Sequence, residues 1–181
     1  MPRKSITGPH RKRTSGSWRE EKERLHLLFI EDGDDEMERF TKVLKSAFEY
    51  HHVVSGREVH PYLKEHPEID IIYLTMDFPS IPEDELLGAE DIIFERFNDD
   101  EEKAIEFLRE NQGAFILHHI RNKVKKPIPI LFSYDFSSEL QRWDTLTSRY
   151  ENVYYCKSEM SPIDVADLIQ TIIQKSRPES L

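Results

Sequence analysis

Polar side chains stand at the ends of four short apolar runs in this sequence. The runs are LHLLFI (25–30), IDIIYLTM (69–76), PIPILFS (127–133) and NVYYC (152–156). The polar residues at or just after their ends are Glu31, Asp32, Thr75, Asp77, Ser133 and Lys157. Carboxylate oxygens are ligands that suit Mg²⁺, and a lysine with hydroxyl groups suits phosphate oxygens. If the runs are parallel strands, these groups meet at one edge of a sheet, where open α/β sheets bind ligands.

Strand-like and helix-like patterns alternate over residues 25–178. HHVVS (51–55) predicts a further strand, and runs that are almost wholly apolar are typical of strands buried on both faces. Helical periodicity or helix-start signals separate the strands: near Met37, from Pro61, over about 137–149 and from Ser161. Five strands alternating with helices predict an α/β fold built on an open five-stranded parallel sheet.

The connection between the third and fourth strands is longer than one crossover needs. Residues 82–110 hold twelve acidic and three basic residues, a net charge of −9. Asn98 and Glu101 have the spacing of a helix start, since Asn can cap a helix and a Glu three residues later can reach back. Two interpretations stay open for this segment: a self-packed helical lid, or a docking surface for a specific partner.

Charge is divided unevenly along the 181 residues. The chain has a net charge of −10, yet residues 1–19 hold six basic and no acidic residues, which leaves −16 for the remainder. Residues 1–24 are predicted to be a disordered basic tail, with a polyanion-binding arm as the alternative. A body this acidic repels phosphate backbones, so nucleic acid could be bound only through the tail. No apolar run approaches the roughly 20 residues that span a bilayer, and we expect a cytoplasmic protein.

The four apolar runs and the polar residues that follow them resemble the receiver domain of two-component response regulators, a CheY-like family. LLFIEDGDD resembles its first strand and acidic pair, and DIIYLTMDFP resembles its third strand, framed by Asp70 and Pro79. The resemblance implies a flavodoxin/CheY-like doubly wound sheet with a helical insertion after strand 3, at about 80–112. It also implies the following positions: Glu31, Asp32 and Asp77 for Mg²⁺, Thr75 for the phosphoryl acceptor, Ser133 and Lys157 for the phosphate, and Tyr154 for the switch aromatic.

The sequence departs from the family pattern at or beside the positions that would carry out phosphoryl transfer. Thr75 replaces the acceptor aspartate, and an alcohol needs a base where a carboxylate does not. Tyr134 follows Ser133 where the family has a small residue, and Ser158 replaces the proline after Lys157. Asp77 lies two residues beyond Thr75 and is the alternative acceptor.

These features predict a non-enzymatic, stand-alone pseudo-receiver that binds a protein, either a histidine kinase or a downstream signalling protein. The alternative is a phospho-accepting regulator that uses Asp77 with Mg²⁺. A weaker alternative is a nucleic-acid-associated protein acting through the basic tail.

Other candidate residues have simpler interpretations. His51, His52 and His60 could ligate a metal, but a strand edge followed by a loop also explains them. The single cysteine, Cys156, excludes an internal disulfide and is predicted to be a core residue.

Overall fold

Five parallel strands form one sheet in the order β2-β1-β3-β4-β5. In the computed structural model, which describes residues 24–88, 96–98 and 100–176, the strands are β1 Leu25–Ile30, β2 Phe48–Val53, β3 Ile71–Thr75, β4 Ile130–Ser133 and β5 Val153–Cys156. The order confirms the doubly wound, open parallel sheet that was predicted. The basic tail lies outside the described residues.

Six helices accompany the sheet in the described part of the chain. They are α1 Asp35–Leu44, α2 Gly56–Glu65, α3 Glu101–Glu110, α4 Gln112–Lys123, α5 Leu140–Thr147 and α6 Pro162–Ser176. Short 3₁₀ turns lie at Glu83–Glu85 and Phe136–Ser138. The described residues contain no helix of the length and apolarity that crossing a membrane requires.

The strands alternate their side chains between two hydrophobic layers, as a period of two requires. Leu28, Leu74 and Phe132 point into the layer covered by α2, α4 and α5. Phe29 and Tyr73 point into the opposite layer, which α1 and α6 cover. Because both faces of the central strands β1, β3 and β4 are buried, these three strands are apolar along most of their length.

Several predicted boundaries were wrong for local reasons. β2 begins at Phe48, three residues before the predicted start. α2 begins at Gly56 and contains Pro61 in its interior, because Val59 and Leu63, four residues apart, are both buried on the helix's inner side. The N-cap of α3 is Asp100 and not the predicted Asn98, because the Asp100 side chain accepts a hydrogen bond from the Lys103 N–H at 3.3 Å.

Candidate functional site

Glu31 directly follows β1 and is a buried carboxylate whose two oxygens both accept hydrogen bonds from helix α1. Oε2 accepts from the N–H of Glu36 and Oε1 from the N–H of Met37, each at 3.0 Å. Burial raises the pKa of this carboxyl, while the two N–H groups oppose the rise. His52 Nε2 lies 4.0 Å from Oε1. Glu31 therefore caps the first turn of α1, where backbone N–H groups and the helix dipole favour an anion.

Asp32 is directed to the chain that follows β3. Its Oδ2 accepts the Ser80 N–H at 2.5 Å. This bond fastens the end of β1 to the beginning of the insertion. One of the two oxygens that a cation would use is thereby engaged by the protein itself.

Thr75 is the last residue of β3 and stands next to Ser133 of β4 in register. Its Oγ1 donates to the carbonyl oxygen of Ile30 at 3.3 Å, so the hydroxyl is turned toward β1. The first turn of α4 closes on the same point: the Gly113 N–H donates to the Met76 carbonyl oxygen at 2.9 Å. The position is consequently packed on two sides by main chain.

Asp77 lies just beyond β3, among charges of mostly its own sign. Partial burial raises the pKa of its carboxyl, the Arg142 guanidinium lowers it, and Glu110, Glu139 and Asp32 raise it further. An added anion at Asp77 would therefore meet three carboxylates and one guanidinium.

Lys157, just after β5, and Tyr154, within β5, are the two remaining predicted positions, and the structure gives each its own partners. Lys157 Nζ lies 3.8 Å from Asp135 Oδ2, and the lysine side chain is 53% exposed. Tyr154 packs on the layer formed with α1 and α6, whereas its neighbour Tyr155 packs with Trp143 in the opposite layer. Cys156 is buried, as predicted, and burial raises its thiol pKa to about 11.

A polar network next to Asp77 was missed by sequence reasoning. The Tyr134 hydroxyl donates to Glu139 Oε1 at 2.5 Å, and Arg142 donates to Glu139 Oε2 at 2.9 Å and to Asn111 Oδ1 at 2.7 Å. The Arg142 guanidinium also lies 5.1 Å above the centre of the Tyr134 ring. Only the three-residue spacing of Glu139, the N-cap of α5, and Arg142, in its first turn, indicated part of this arrangement in the sequence.

An acid-lined cleft opens between the chain after β3 and helix α3. Its volume is about 1080 Å³. It is lined by six acidic residues, one arginine and two apolar residues: Asp77, Glu83, Glu101, Glu102, Glu106, Glu110, Arg109, Pro79 and Ile105. Part of the predicted insertion thus forms one wall of a cleft at the carboxyl edge of the sheet.

The described part of the insertion is fastened to the body. Buried Gln112 accepts the Leu87 N–H at 2.8 Å and donates to the Leu87 carbonyl oxygen at 3.3 Å. Ser55 Oγ donates to Glu85 Oε2 at 2.9 Å, and Arg109 donates to the Ile81 carbonyl oxygen at 3.2 Å. The bond from Arg109 joins the α3 wall of the cleft to the chain after β3. Residues 92–94 (IIF), an apolar run of the acidic segment that could pack on the body or contact a partner, lie outside the described residues.

Comparison with known proteins places this geometry in one fold. No protein-family model matches the chain, and no curated protein matches it significantly. Among solved structures it is similar to the receiver domain of the Francisella response regulator 1452, with a TM-score of 0.55 and 12% identity over 85% of this chain and all of that one. It is also similar to the Vibrio cholerae chemotaxis protein CheY4, with a TM-score of 0.54 and 12% identity over 83% and 99% of the two chains. A third similar structure is the signal receiver domain of a histidine kinase from Syntrophus aciditrophicus, with a TM-score of 0.55 and 14% identity over 86% of this chain and 96% of that one. The chain has the receiver-domain fold, as predicted.

Proposed function

We propose that this chain is a receiver-like signalling module, without enzymatic activity, that binds a protein partner in the cytoplasm and is not phosphorylated on an aspartate. The observation that carries the proposal is Thr75. It stands at the end of β3, and its hydroxyl is hydrogen-bonded to the Ile30 carbonyl oxygen. An alcohol in this position is a weak nucleophile unless a base removes its proton, whereas a carboxylate is already ionised.

The surrounding carboxylates support the same proposal, because they fit Mg²⁺ poorly. Mg²⁺ requires near-octahedral oxygen ligands. Both oxygens of Glu31 accept N–H groups of α1, and one oxygen of Asp32 accepts the Ser80 N–H. Each of these three oxygens keeps a further lone pair, but an ion would have to compete with N–H groups at three of the four oxygens of Glu31 and Asp32. We therefore assign no step of the function to a metal at this edge.

Charge argues against Asp77 as a substitute acceptor. A phosphoryl group adds a charge of about −1.5 to −2 at neutral pH. At Asp77 that charge would be placed near Glu110, Glu139 and Asp32, with Arg142 as the opposing charge. Lys157, the other predicted cation, is paired with Asp135.

The charge of the cleft supports a partner with a basic surface. Six carboxylates against one guanidinium favour a protein with a basic surface, such as a histidine kinase or a downstream signalling protein. Complementary charge accelerates association and disfavours acidic competitors. Ile105 and Pro79 supply apolar contact within the same cleft.

Phosphorylation is tested on the full chain by intact mass after exposure to acetyl phosphate and Mg²⁺. We expect no adduct, whereas a phosphoryl adduct of roughly 80 Da would contradict the proposal. The Asp77→Asn variant assigns any adduct: its loss in that variant would establish the alternative, a phospho-accepting regulator using Asp77. A conventional receiver domain, treated in parallel, verifies the donor.

Partner binding is tested by reversing charge in the cleft. In one variant Glu101, Glu102 and Glu106 of α3 become lysine. In a matched control the exposed residues Glu151, Glu159 and Asp167, which are not among the residues lining the cleft, become lysine. Proteins captured from native lysate at increasing salt are compared by mass spectrometry. We expect the α3 variant to lose a salt-sensitive partner that the control retains, and equal capture by both variants would refute docking at the cleft.

A further inference from the structure

Three side chains that can ligate a metal converge near the beginnings of β1 and β3, away from the carboxyl ends of the strands described above. His26 is the second residue of β1, His51 lies in the edge strand β2, and Glu68 lies in the connection between α2 and β3. One ligand atom from each lies within 4.8 Å of the others. Three separate elements therefore contribute to one cluster, which neither the receiver-like chemistry nor the acidic cleft uses.

The two imidazoles face each other through ring nitrogens. His26 Nδ1 lies 3.0 Å from His51 Nε2. Zinc–nitrogen bonds of about 2.0–2.1 Å in tetrahedral geometry separate two ligand nitrogens by about 3.3 Å. The observed separation is a few tenths of an ångström shorter, so a small outward movement of the rings would admit an ion between them. Without an ion, the same pair is joined by one N–H···N hydrogen bond.

Neighbouring side chains orient two of these ligands. His51 Nδ1 lies 2.9 Å from the Tyr62 hydroxyl oxygen, to which an Nδ1–H can donate when Nε2 binds a metal. Glu68 Oε1 accepts from His66 Nδ1 at 2.8 Å. The His66 ring is stacked on Tyr62, with 4.3 Å between the ring centres. Partners of this kind fix the ring orientation and the basicity of ligands at metal centres.

The ligand set and its exposure define the class of ion. Two imidazoles and one carboxylate suit zinc and neighbouring late first-row ions, whereas Mg²⁺ and Ca²⁺ take oxygen ligands. The two histidines are half-buried and Glu68 is exposed, which leaves a path for an ion from solvent. We propose that His26, His51 and Glu68 form a binding site for Zn²⁺, with water as the fourth ligand.

Binding would join β1, the edge strand β2 and the connection before β3. A ligand that binds the folded chain and not the unfolded chain raises its melting temperature. The site is independent of the proposed signalling function, so either can fail without the other.

The test uses the full chain, stripped with a chelator and dialysed. Zn²⁺ binding is measured by titration calorimetry, and the site is probed by the absorption spectrum of Co²⁺ and its displacement by Zn²⁺. We expect one equivalent of Zn²⁺, a four-coordinate cobalt spectrum and a higher melting temperature with ZnCl₂ but not with MgCl₂.

The variants distinguish a specific Zn²⁺ site from adventitious binding to surface histidines. His26→Gln and Glu68→Gln should each weaken Zn²⁺ binding at least tenfold, and Tyr62→Phe should weaken it by about 10- to 100-fold. The matched control is His118→Gln, which removes an exposed histidine on α4. Glu68 is exposed, so its variant should fold, which circular dichroism verifies. Wild-type affinity in both ligand variants, or an equal loss in His118→Gln, would overturn the proposal, as would the absence of stoichiometric binding by the wild-type chain.

Discussion

Replacing Gly113 with alanine would place a methyl group against the main chain at the end of β3. An ideal Cβ at residue 113 lies 2.3 Å from the Thr75 carbonyl oxygen and 2.9 Å from Met76 Cα. A third contact, to Phe132 Cε1, is 3.1 Å. The two shorter contacts are with backbone atoms, which cannot rotate away as a side chain can. Helix α4 would have to withdraw from β3 by about 1 Å to restore ordinary contact distances.

Two costs and one gain decide the size of the effect. Overpacking of this kind costs about 1–3 kcal/mol. Withdrawal also weakens the bond from the Gly113 N–H to the Met76 carbonyl oxygen, 2.9 Å long, which contributes about 1 kcal/mol. Alanine is the better helix former by about 1 kcal/mol, which offsets the lost hydrogen bond. We expect a net destabilisation of about 2 kcal/mol, and hence a melting temperature lower by about 4–8 °C.

Urea and thermal unfolding measure this difference against a matched glycine. At Gly33 an added Cβ would meet no atom within 4 Å. Gly33→Ala should therefore leave stability unchanged or raise it by a few tenths of a kcal/mol. If Gly113→Ala proves as stable as Gly33→Ala, the close approach of α4 to β3 is not as tight as the structure gives it.

Two further predictions concern buried polar groups near the same edge. Burial raises the pKa of Glu31 above its ordinary 4.5, so the folded state binds the proton more tightly than the unfolded state. The free energy of unfolding that this group contributes therefore rises as the pH falls through the folded pKa, and it levels off below pH 4.5. The unfolding free energy of the wild type minus that of Glu31→Gln should therefore increase between pH 7 and pH 4.5, and a pH-independent difference would contradict this reasoning. Gln112→Leu removes the buried acceptor of the Leu87 N–H and should cost about 1–3 kcal/mol in urea unfolding. The exposed Gln141→Leu is the control that stays near wild type.

The sheet could be predicted from the sequence because its signal is local. Runs such as LHLLFI and PIPILF carry the apolar residues of β1 and β4, and both faces of those strands are buried. The boundaries of α2 could not be predicted from Pro61 alone. A proline inside a helix is unfavourable, but the burial of Val59 and Leu63 against the core outweighs this cost. The helix therefore begins at Gly56, before the proline.

The residues that gather at the candidate site were predictable, but their hydrogen-bond partners were not. Strand ends located Glu31 and Lys157, yet the capping role of Glu31 depends on where α1 begins, and the position of Lys157 depends on the loop that carries Asp135. The cluster of His26, His51 and Glu68 spans more than forty residues of sequence and has no local pattern. Such contacts follow from the parallel pairing of β1 with β2 and β3, which only the folded chain provides.

The absence of a carboxylate at residue 75 and the acidity of the cleft favour the same mode of action. A site that receives a phosphoryl group needs cations or free N–H groups to balance the added charge. Here the N–H groups of Glu36, Met37 and Ser80 already serve the chain's own carboxylates. The remaining negative charge lines a cleft whose α3 wall is joined to the chain after β3 by the bond from Arg109 to the Ile81 carbonyl oxygen, so it is presented to solvent in a fixed arrangement. A fixed negative surface repels an incoming phosphate and attracts a basic protein, and this opposition of signs supports our proposal that the chain signals through contact rather than through phosphoryl transfer.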